Sequence, residues 1–379
     1  GACFGVSGGY ERPMWFALDG EKTEYEYSYN YQNWYPSAEY ETNNTVKNVG
    51  LFDLTPFSKF EIKSDKANKE LQKICTSNIK NEVGKCIYTH MLNPDGGIET
   101  DLTVVCIDKD HFRIISSAAT RERDKFHIKK YLAKDIELKD VTDDFCVFGV
   151  FGPKSRALMK SISKDDFEND EFRFGTSKYI SIEGIKIWTQ RLSYVGELGF
   201  ELYVRSKDAK KIYELLLDKG KDFNLSNCGM HAMDIMRMES GFLHWGHDIS
   251  PEENQYQAGL SFTISSKKED EFIGKRALEK IKKEKIKSRF AMFTLKDSKP
   301  GEPLLLHDEQ IYFENNIIGR STSGNYSFNC KKNLAFGYIN NDISNDELNK
   351  KDLFIEVEKK KYRIEAIIKP LKQTNFKNN

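Results

Sequence analysis

Apolar and polar positions alternate with a period of two along several short stretches of the chain, a spacing typical of strands whose two faces meet different surroundings. The clearest example surrounds the run from Asn93 to Gly97. After this run, Leu102 and Val104 share one face of a predicted strand. Since Asn, Pro, Asp and Gly preset or permit the dihedral angles of turns, we predict a β-hairpin over residues 87–105.

The flanking segments predict a mixed order of helices and strands. Helices are predicted over residues 66–74, 120–131, 209–217 and 229–245, and residues 46–53 are predicted to end a further helix. Strands are predicted over residues 59–62, 112–116, 146–150, 178–190 and 191–205. This order favours an α+β fold with antiparallel pairing.

Two changes in pattern divide the chain. Residues 1–45 are rich in Tyr and Trp and have little aliphatic periodicity, so we expect this leader to pack on the core or on a partner domain. A lysine-rich run at residues 280–287 indicates a domain boundary. Beyond it, short strands are predicted over residues 289–295, 310–315, 317–322, 334–339 and 353–357. They favour a small β-barrel or sandwich over residues 285–379 and leave residues 46–284 as an α+β region.

The composition excludes several classes of protein. The 58 Lys and Arg residues balance 58 Asp and Glu residues, so neither nucleic acid nor a membrane surface is expected as a partner. No apolar run reaches the roughly 18 residues of a membrane span, and no signal peptide opens the chain. The seven cysteines are scattered without C-x-x-C spacing, which favours reduced thiols in a cytoplasmic protein without a structural zinc site.

Asp101 is an unfavourable residue at its position in the predicted hairpin strand. Asp is depleted in strands because its short carboxylate competes for backbone hydrogen bonds and gains nothing from packing. Folding the hairpin about its turn brings Tyr88 within a residue or two of the position opposite Asp101, and a phenol beside a carboxylate suits a polar ligand. The alternative is an edge-strand charge that blocks unwanted pairing. Both interpretations remain open from these residues alone.

A second candidate lies in the stretch from Tyr194 to Glu201. Two glycines, Gly196 and Gly199, interrupt a strand-like run and indicate a bulge or a close approach of the backbone to another group. The carboxylate of Glu201 suits a planar pair of donors, such as the amidine-like edge of a pterin. Pairing of Glu201 with a basic side chain is the simpler interpretation, and spacing alone favours it.

The helical stretch over residues 229–245 offers less chemistry. Asp234 and Arg237 are spaced to pair on one helix face, which is more often structural than catalytic. His244 and His247 are spaced H-x-x-H with an adjacent Asp, but a metal would need a further ligand, so we expect no metal site. The chain has no G-x-S-x-G, Walker or H-E-x-x-H motif, and its glycine-rich start does not fit G-x-G-x-x-G.

Several ordered motifs resemble the glycine-cleavage T-protein (aminomethyltransferase) family. YTHMLNPDGGIETDLTV and YVGELGFELYV resemble the family's two folate-binding segments, and HAMDIMRMESGFLHWGHDI, FIGKRAL, GRSTSGNYS and LAFGYI follow in the family's order. The leader motifs FGVSGGYERPMWF and YNYQNWYP resemble the folate-binding C-terminal half of dimethylglycine and sarcosine dehydrogenases. The resemblance implies three domains around a central folate site, with residues 46–284 forming two subdomains.

The resemblance also implies roles for four residues. Asp101 matches the family's catalytic aspartate and Tyr88 the tyrosine that precedes it, while Tyr194 and Glu201 match residues that contact the pterin. Two departures matter. Met233 stands where many T-proteins have Arg, as in the dehydrogenase branch, which weakens the case for glycine cleavage itself, and Val105 replaces a tyrosine found in some members.

The leading hypothesis is a tetrahydrofolate-dependent transferase that captures the one-carbon unit of a methylated amine, as an iminium or formaldehyde, to form methylenetetrahydrofolate. The alternatives are an aminomethyltransferase or demethylase acting without a flavin partner, and a non-catalytic folate-binding module. Oxidation of the amine belongs to a cofactor such as FAD, which we expect on a separate or missing domain, a flavin oxidase. The first residue, Gly1, suggests a tag remnant or an excised fragment.

Overall fold

The computed structural model describes residues 1–266, 268, 270–372 and 377. Its strands are β1 (Ala2–Ser7), β2 (Tyr10–Phe16), β3 (Val49–Asp53), β4 (Ser58–Lys63), β5 (Cys86–Leu92), β6 (Ile98–Asp108), β7 (His111–Ser116), β8 (Leu138–Asp140), β9 (Phe145–Phe151), β10 (Ser177–Ile182), β11 (Ile185–Gln190), β12 (Gly199–Arg205), β13 (Leu225–Cys228), β14 (Ser288–Leu295), β15 (Gln310–Phe313), β16 (Asn316–Ser327), β17 (Lys332–Asn340), β18 (Leu353–Val357) and β19 (Lys360–Ile367). Its α-helices are α1 (Tyr35–Lys47), α2 (Ala67–Ile74), α3 (Arg121–Tyr131), α4 (Ser155–Ile162), α5 (Ala209–Gly220), α6 (Met230–Glu239), α7 (Lys275–Lys283) and α8 (Asn345–Lys350).

The predicted hairpin forms two neighbouring strands of an antiparallel five-stranded sheet, in the order β5-β6-β7-β4-β8. One face of this sheet packs on α2 and α3, where Phe60, Leu71 and Ile128 are fully buried. Strand β6 is therefore an interior strand, paired on both sides. Because Asp101 lies on β6, its interpretation as an edge-strand charge is wrong.

The second sheet has six strands in the order β10-β11-β12-β9-β3-β13, all antiparallel except the pair β3 and β13. Helices α4 and α5 contribute Leu158 and Leu216 to the apolar core on one of its faces. This sheet corrects the prediction that residues 46–53 end a helix, because α1 ends at Lys47 and β3 follows. Strand β3 is buried almost throughout, so it lacks the alternating pattern that would have distinguished it from a helix end.

Three other predicted elements are shorter than expected. Residues 178–190 form two strands, β10 and β11, joined by a turn in which Glu183 has a positive φ of 46°. Residues 191–198 are a loop before β12, and Gly196 has a φ of 70° there. Helix α6 ends at Glu239, two residues before Gly241, whose φ is 73°. These left-handed residues interrupt apolar patterns that continue in the sequence.

A common apolar layer joins the two sheets. Val105 and Ile115 of the five-stranded sheet, Val147 and Tyr203 of the six-stranded sheet, and Met236 of α6 belong to one cluster of buried side chains. The faces of β5, β6 and β12 that carry the candidate residues therefore border the same interior as α6. This packing brings segments about 100 residues apart in the sequence into one region of the molecule.

The C-terminal strands close into a barrel in the order β14-β17-β16-β15-β18-β19. Phe293, Ile311, Ala335 and Ile355 fill its interior, and none of the four is exposed. The prediction of a small barrel is confirmed, although β19 was not predicted and β16 is twice as long as expected, at 12 residues.

The aromatic leader forms the β1–β2 hairpin and continues into α1. Its Trp15 is 1% exposed and its Trp34 is 8% exposed, and both pack with Ile235 of α6 and Phe328 after β16. Tyr27, by contrast, is 88% exposed. No helix among the described residues is long and apolar enough to cross a membrane, and all seven cysteines are free thiols.

Candidate active site

The hairpin places Tyr88 and Asp101 two positions apart on neighbouring strands. His90 is directly opposite Asp101, and Tyr88 is opposite Thr103. The turn between the strands requires glycine, because a Cβ on Gly97 would lie 1.9 Å from the carbonyl oxygen of Pro251. The predicted juxtaposition of Tyr88 and Asp101 is therefore confirmed as geometry.

Asp101 lies in an environment that disfavours its charge. Its side chain is 20% exposed, and its Oδ1 atom is buried without a hydrogen-bond partner among the described residues. Burial raises the pKa of Asp101 to about 7, the charge of Asp124 adds to the rise, and the Tyr88 hydroxyl opposes it. A carboxyl group with a pKa near neutrality can give or take a proton under physiological conditions.

Tyr88 is accessible at this position. Its side chain is 39% exposed, and desolvation together with the charge of Asp101 raises its pKa well above the usual value. Its hydroxyl lies 3.3 Å from His90 Nε2. The exposed ring of Phe262 stacks against it, with ring centroids 6.4 Å apart and planes inclined by 29°. The two rings offer an aromatic surface to a planar ligand.

Tyr194 lies in the loop before β12 and faces the same region. Its hydroxyl donates to the carbonyl oxygen of Leu243 at 3.0 Å, and its ring stacks on Phe242. Burial raises its pKa, and the charge of Asp101 is among the charges that act on it. Tyr194 in turn contributes to the raised pKa of Tyr88. Tyr88, Asp101 and Tyr194 thus form one electrostatic neighbourhood.

Glu201 lies on β12, opposite Gln190 of β11 and Gly149 of β9. Its Oε2 accepts a hydrogen bond from the Tyr203 hydroxyl at 3.2 Å, so the partner is a phenol where the simpler interpretation expected a basic side chain. Burial raises the pKa of Glu201 to about 7. It interacts with Tyr203 and with Cys86, which lies on the same face of β5 as Tyr88 and His90 but further along the strand from Asp101. The structure therefore brings three predicted site residues together and places Glu201 at a neighbouring position of the same interior.

The structure explains the two glycines near Glu201 by a close backbone approach, as the sequence predicted, and by a turn. A Cβ on Gly199 would lie 2.0 Å from Cδ1 of Phe151, because β12 crosses that ring closely. Gly196 adopts the left-handed conformation in the preceding loop. Both positions allow the backbone to turn from Tyr194 into β12, which directs Tyr194 and Glu201 toward the common interior.

Helix α6 is fixed to the barrel by a buried ionic network. Arg237 donates to Asp234 at 2.8 Å, as the spacing predicted, and also to Asp248 at 2.5 Å and to Ser323 at 2.8 Å. Asn325 of β16 donates to the other oxygen of Asp234 at 3.0 Å. The network supports a structural role for the Asp234–Arg237 pair. Met233, which replaces the arginine of many T-proteins, is 5% exposed in the apolar layer.

The H-x-x-H pair makes no recognisable metal site. The rings of His244 and His247 lie 4.7 Å apart. Within the described part of the chain, no group of three or more His, Cys, Asp or Glu side chains is arranged to hold a metal ion.

Sequence reasoning missed three residues of this region: His90 and Asp124, which act on Asp101 or face it, and Phe262, which stacks on Tyr88. His90 could have been found from the period of two, since it lies on the same face of β5 as Tyr88 and directly opposite Asp101. Asp124 reaches the site from α3, and Phe262 reaches it from the 3-10 helix Ser261–Thr263. No local pattern relates either residue to the hairpin.

The chain matches two family descriptions over most of its length. Residues 1–268 match the GCVT N-terminal domain, and residues 289–372 match the glycine cleavage T-protein C-terminal barrel domain. An aminomethyltransferase of Alkaliphilus metalliredigens is 31% identical, over 87% of this chain and 88% of the relative. The crystal structure of the glycine cleavage system aminomethyltransferase T from Bartonella henselae has a TM-score of 0.83 at 21% identity, covering 98% of this chain and 94% of that chain.

Other relatives are much longer than this chain. A 4-methylaminobutanoate oxidase (formaldehyde-forming) of Paenarthrobacter nicotinovorans is 35% identical, over 90% of this chain and 41% of the relative. The mitochondrial dimethylglycine dehydrogenase of Rattus norvegicus is 33% identical, over 90% of this chain and 40% of the relative. The chain thus spans about two fifths of the length of these two relatives.

The fold and these matches define a protein of the aminomethyltransferase-like T-protein type. The chain belongs to the glycine-cleavage T-protein family. The resemblance of its motifs to T-proteins and to dimethylglycine dehydrogenases is confirmed. The arrangement of an α+β region with a C-terminal barrel is likewise the T-protein fold.

Proposed function

We propose that the chain binds tetrahydrofolate and transfers to it the one-carbon unit of a methylated amine, forming methylenetetrahydrofolate. The observation that carries this proposal is Asp101. Its carboxyl group lies near the accessible ring of Tyr88, has an unpartnered buried oxygen, and has a pKa raised to about 7. Such a group can exchange a proton with a nitrogen of the bound folate and favour developing positive charge near it.

The residues around Asp101 fit a folate. The rings of Tyr88 and Phe262 suit a flat aromatic ligand, and the Glu201 carboxylate suits the donor edge of a pterin. Tyr194 borders the same interior, where its hydroxyl is held by Leu243. Tyr88, Asp101, Tyr194 and Glu201 are therefore the proposed folate-binding residues, and Asp101 is the proposed catalytic residue. Folate supplies the nitrogen atoms that accept the one-carbon unit.

The substrate class follows from the longer relatives. One is named a 4-methylaminobutanoate oxidase that forms formaldehyde, and another a dimethylglycine dehydrogenase. Releasing a methyl group of an amine as formaldehyde requires a two-electron oxidation, which a cofactor carries out. We propose that a flavin oxidase domain or subunit performs this oxidation and that the present chain captures the product. Proximity of the two sites would limit escape of the reactive unit.

Purified chain tests this proposal in two assays. With tetrahydrofolate and formaldehyde, we expect methylenetetrahydrofolate to form faster than in the absence of protein. With dimethylglycine or sarcosine and an artificial electron acceptor, we expect no reduction of the acceptor and no flavin absorbance. Folate that binds without any acceleration would instead indicate a non-catalytic folate-binding module. Amine-dependent reduction by the chain alone would disprove the need for a flavin partner.

A second candidate is aminomethyl transfer from a lipoyl carrier, as in glycine cleavage. The supporting observation is that an aminomethyltransferase matches this chain over 88% of its own length. Turnover with an aminomethyl-lipoyl donor, compared with turnover of formaldehyde at equal folate concentration, separates the two candidates.

A further inference from the structure

His90 is a buried histidine that faces the candidate catalytic carboxyl. Its side chain has no exposed surface. It lies between Tyr88 and Asp101 on one side, and Thr263 and Gln255 on the other. Burial lowers the pKa of His90 to about 3, so the imidazole is neutral at physiological pH. One of its two nitrogens therefore carries a proton and the other presents a lone pair.

The hydrogen bonds on the far side identify the protonated nitrogen. His90 Nδ1 lies 3.0 Å from Thr263 Oγ1. The Thr263 hydroxyl donates its single proton to the carbonyl oxygen of Leu260 at 2.8 Å. Gln255 Nε2 already donates to Thr263 and to Thr76, at 2.9 and 3.0 Å. With the Gln255 amide oriented as it is here, these contacts favour His90 Nδ1 as the donor to Thr263, which places the proton on Nδ1 and the lone pair on Nε2.

On the side of the imidazole that faces Tyr88 and Asp101, hydrogen-bond acceptors therefore outnumber donor protons. His90 Nε2 lies 3.3 Å from the Tyr88 hydroxyl and 3.9 Å from Asp101 Oδ1. Oδ1 is the buried oxygen without a partner. If Asp101 is ionised, two buried acceptors, Nε2 and Oδ1, compete for the one proton of Tyr88. Protonation of Asp101 supplies the second proton and relieves the repulsion between two facing lone pairs.

We propose that His90 is a positioning residue for Asp101, and that its Nε2 lone pair holds a proton on the Oδ1 side of the carboxyl group until a ligand supplies another donor. This deepens the proposed function, since it assumes that Asp101 performs the proton chemistry. His90 touches neither folate nor the reacting atoms in this scheme. It acts by setting the pH at which Asp101 ionises.

The other ionisable groups near Asp101 are Asp124, Tyr88 and Tyr194. Asp124 is fully buried on α3, accepts from Thr100 at 3.0 Å and from Thr120 at 2.7 Å, and raises the pKa of Asp101 by its negative charge. The Tyr88 hydroxyl lowers that pKa. Tyr194 is neutral near pH 7, because burial raises its own pKa. None of these groups replaces His90 Nε2, the nitrogen that lies 3.9 Å from Oδ1.

Two substitutions isolate the role of Nε2. His90→Asn keeps an amide N–H near the position of Nδ1 for Thr263, and leaves the position of Nε2 to water. Since water can donate to Oδ1, we expect the ionisation of Asp101 to move to lower pH by about one unit, a change of about tenfold in proton affinity. His90→Gln places an amide oxygen near the position of Nε2 and should restore most of the original value. His127→Asn, at another buried histidine (7% exposed), should leave Asp101 unchanged.

The measurement is a ¹³C NMR titration of the Asp carboxyl groups in the whole chain without folate. A ¹⁵N spectrum of the unmodified chain independently reports which nitrogen of His90 carries the proton. We expect the proton of His90 on Nδ1. In each His90 variant, we expect the limb of the pH–rate profile assigned to Asp101 to shift by the same amount as the pKa of Asp101 measured by NMR. A proton on Nε2, or an unchanged Asp101 titration in folded His90→Asn, would overturn the proposal. Because these spectra need no folate, their failure is distinct from failure of the transferase function.

Discussion

Arg237 Nη1 donates to Asp248 Oδ2 at 2.5 Å, and the two side chains are only 2% and 0% exposed. This buried pair connects α6, which borders the proposed folate cavity, to the barrel, because Asp248 also accepts from Thr322 and Ser323 of β16. The position of α6 next to the cavity therefore depends on the barrel.

We expect Asp248→Ala to destabilise the protein by about 3–5 kcal/mol, because it leaves a buried guanidinium short of a partner. Chemical denaturation of the two proteins measures this difference. Asp342→Ala is the matched control, since it removes an exposed ion pair with Lys285 beside the same barrel. That control should cost about 1 kcal/mol or less. Equal losses of stability in the two variants would show that the buried Arg237–Asp248 pair stabilises the protein no more than an exposed ion pair does.

Glu41 predicts a pH dependence of stability. This carboxyl group of α1 is 1% exposed and accepts backbone N–H groups of Phe16 and Gly229 at 2.7 and 2.8 Å. Burial outweighs these hydrogen bonds and raises the pKa of Glu41 to about 8. A folded-state pKa above the unfolded value means that the contribution of Glu41 is fully present below about pH 4.5 and is lost as the pH rises through about 8.

Glu41→Gln removes this titration. We expect the free energy of unfolding of the unmodified protein to fall, relative to the variant, as the pH is raised from 5 to 9 in urea denaturation. A constant difference between the two proteins across this range would show that Glu41 is already ionised in the folded state.

Glu201 predicts a pH dependence of ligand binding. Burial raises its pKa to about 7, whereas a pterin edge with two donors needs the ionised carboxylate. Tetrahydrofolate affinity should therefore rise as the pH increases through about 7. Glu201→Gln replaces one acceptor oxygen with a donor, so it should lower the affinity by about 1–3 kcal/mol and remove the part of this pH dependence that comes from Glu201.

Calorimetric titration measures both effects. Tyr203→Phe is the comparison, because it keeps the carboxylate and removes only the hydroxyl that donates to Glu201. Tyr203→Phe should lose less affinity for tetrahydrofolate than Glu201→Gln does. Unchanged affinity in Glu201→Gln would remove Glu201 from the site.

The sequence predicted the hairpin and the barrel because both consist of strands with one polar face and turns with recognisable residues. It did not predict β3, because that strand is buried on both faces and follows a helix directly. The same limitation applies to the loop over residues 191–198, where an apolar pattern continues although Gly196 ends the extended conformation. Local patterns report burial on one side of an element and do not report which elements pack around it.

The candidate site was likewise predictable only where its residues lie in one local element. Tyr88 and Asp101 were predictable together because one hairpin determines their distance. Asp124 and Phe262 approach from other segments, and only tertiary packing brings Asp124 near Asp101 and Phe262 near Tyr88. The raised pKa of Asp101 was not predictable either, since it results mainly from burial within the assembled fold. The proposed limits of the three segments, at residues 45 and 284, remain predictions.

The central claim is that Asp101 performs proton chemistry on bound folate. Asp101→Asn keeps the volume of the side chain and part of its hydrogen bonding, but it cannot take a proton or favour a positive charge. The most direct measurement compares tetrahydrofolate affinity and the rate of methylenetetrahydrofolate formation in the unmodified chain, in Asp101→Asn, and in Asp95→Asn. Asp95 is an exposed residue of the same hairpin's turn, and its variant is the control for the substitution itself.

We expect Asp101→Asn to bind tetrahydrofolate within about tenfold of the unmodified chain and to lose about 10²–10⁴-fold in rate, the range typical of removing a general acid or base. Asp95→Asn should match the unmodified chain in both measurements. Equal rates for Asp101→Asn and the unmodified chain would contradict the catalytic assignment, and a loss of affinity as large as the loss of rate would make Asp101 a binding residue.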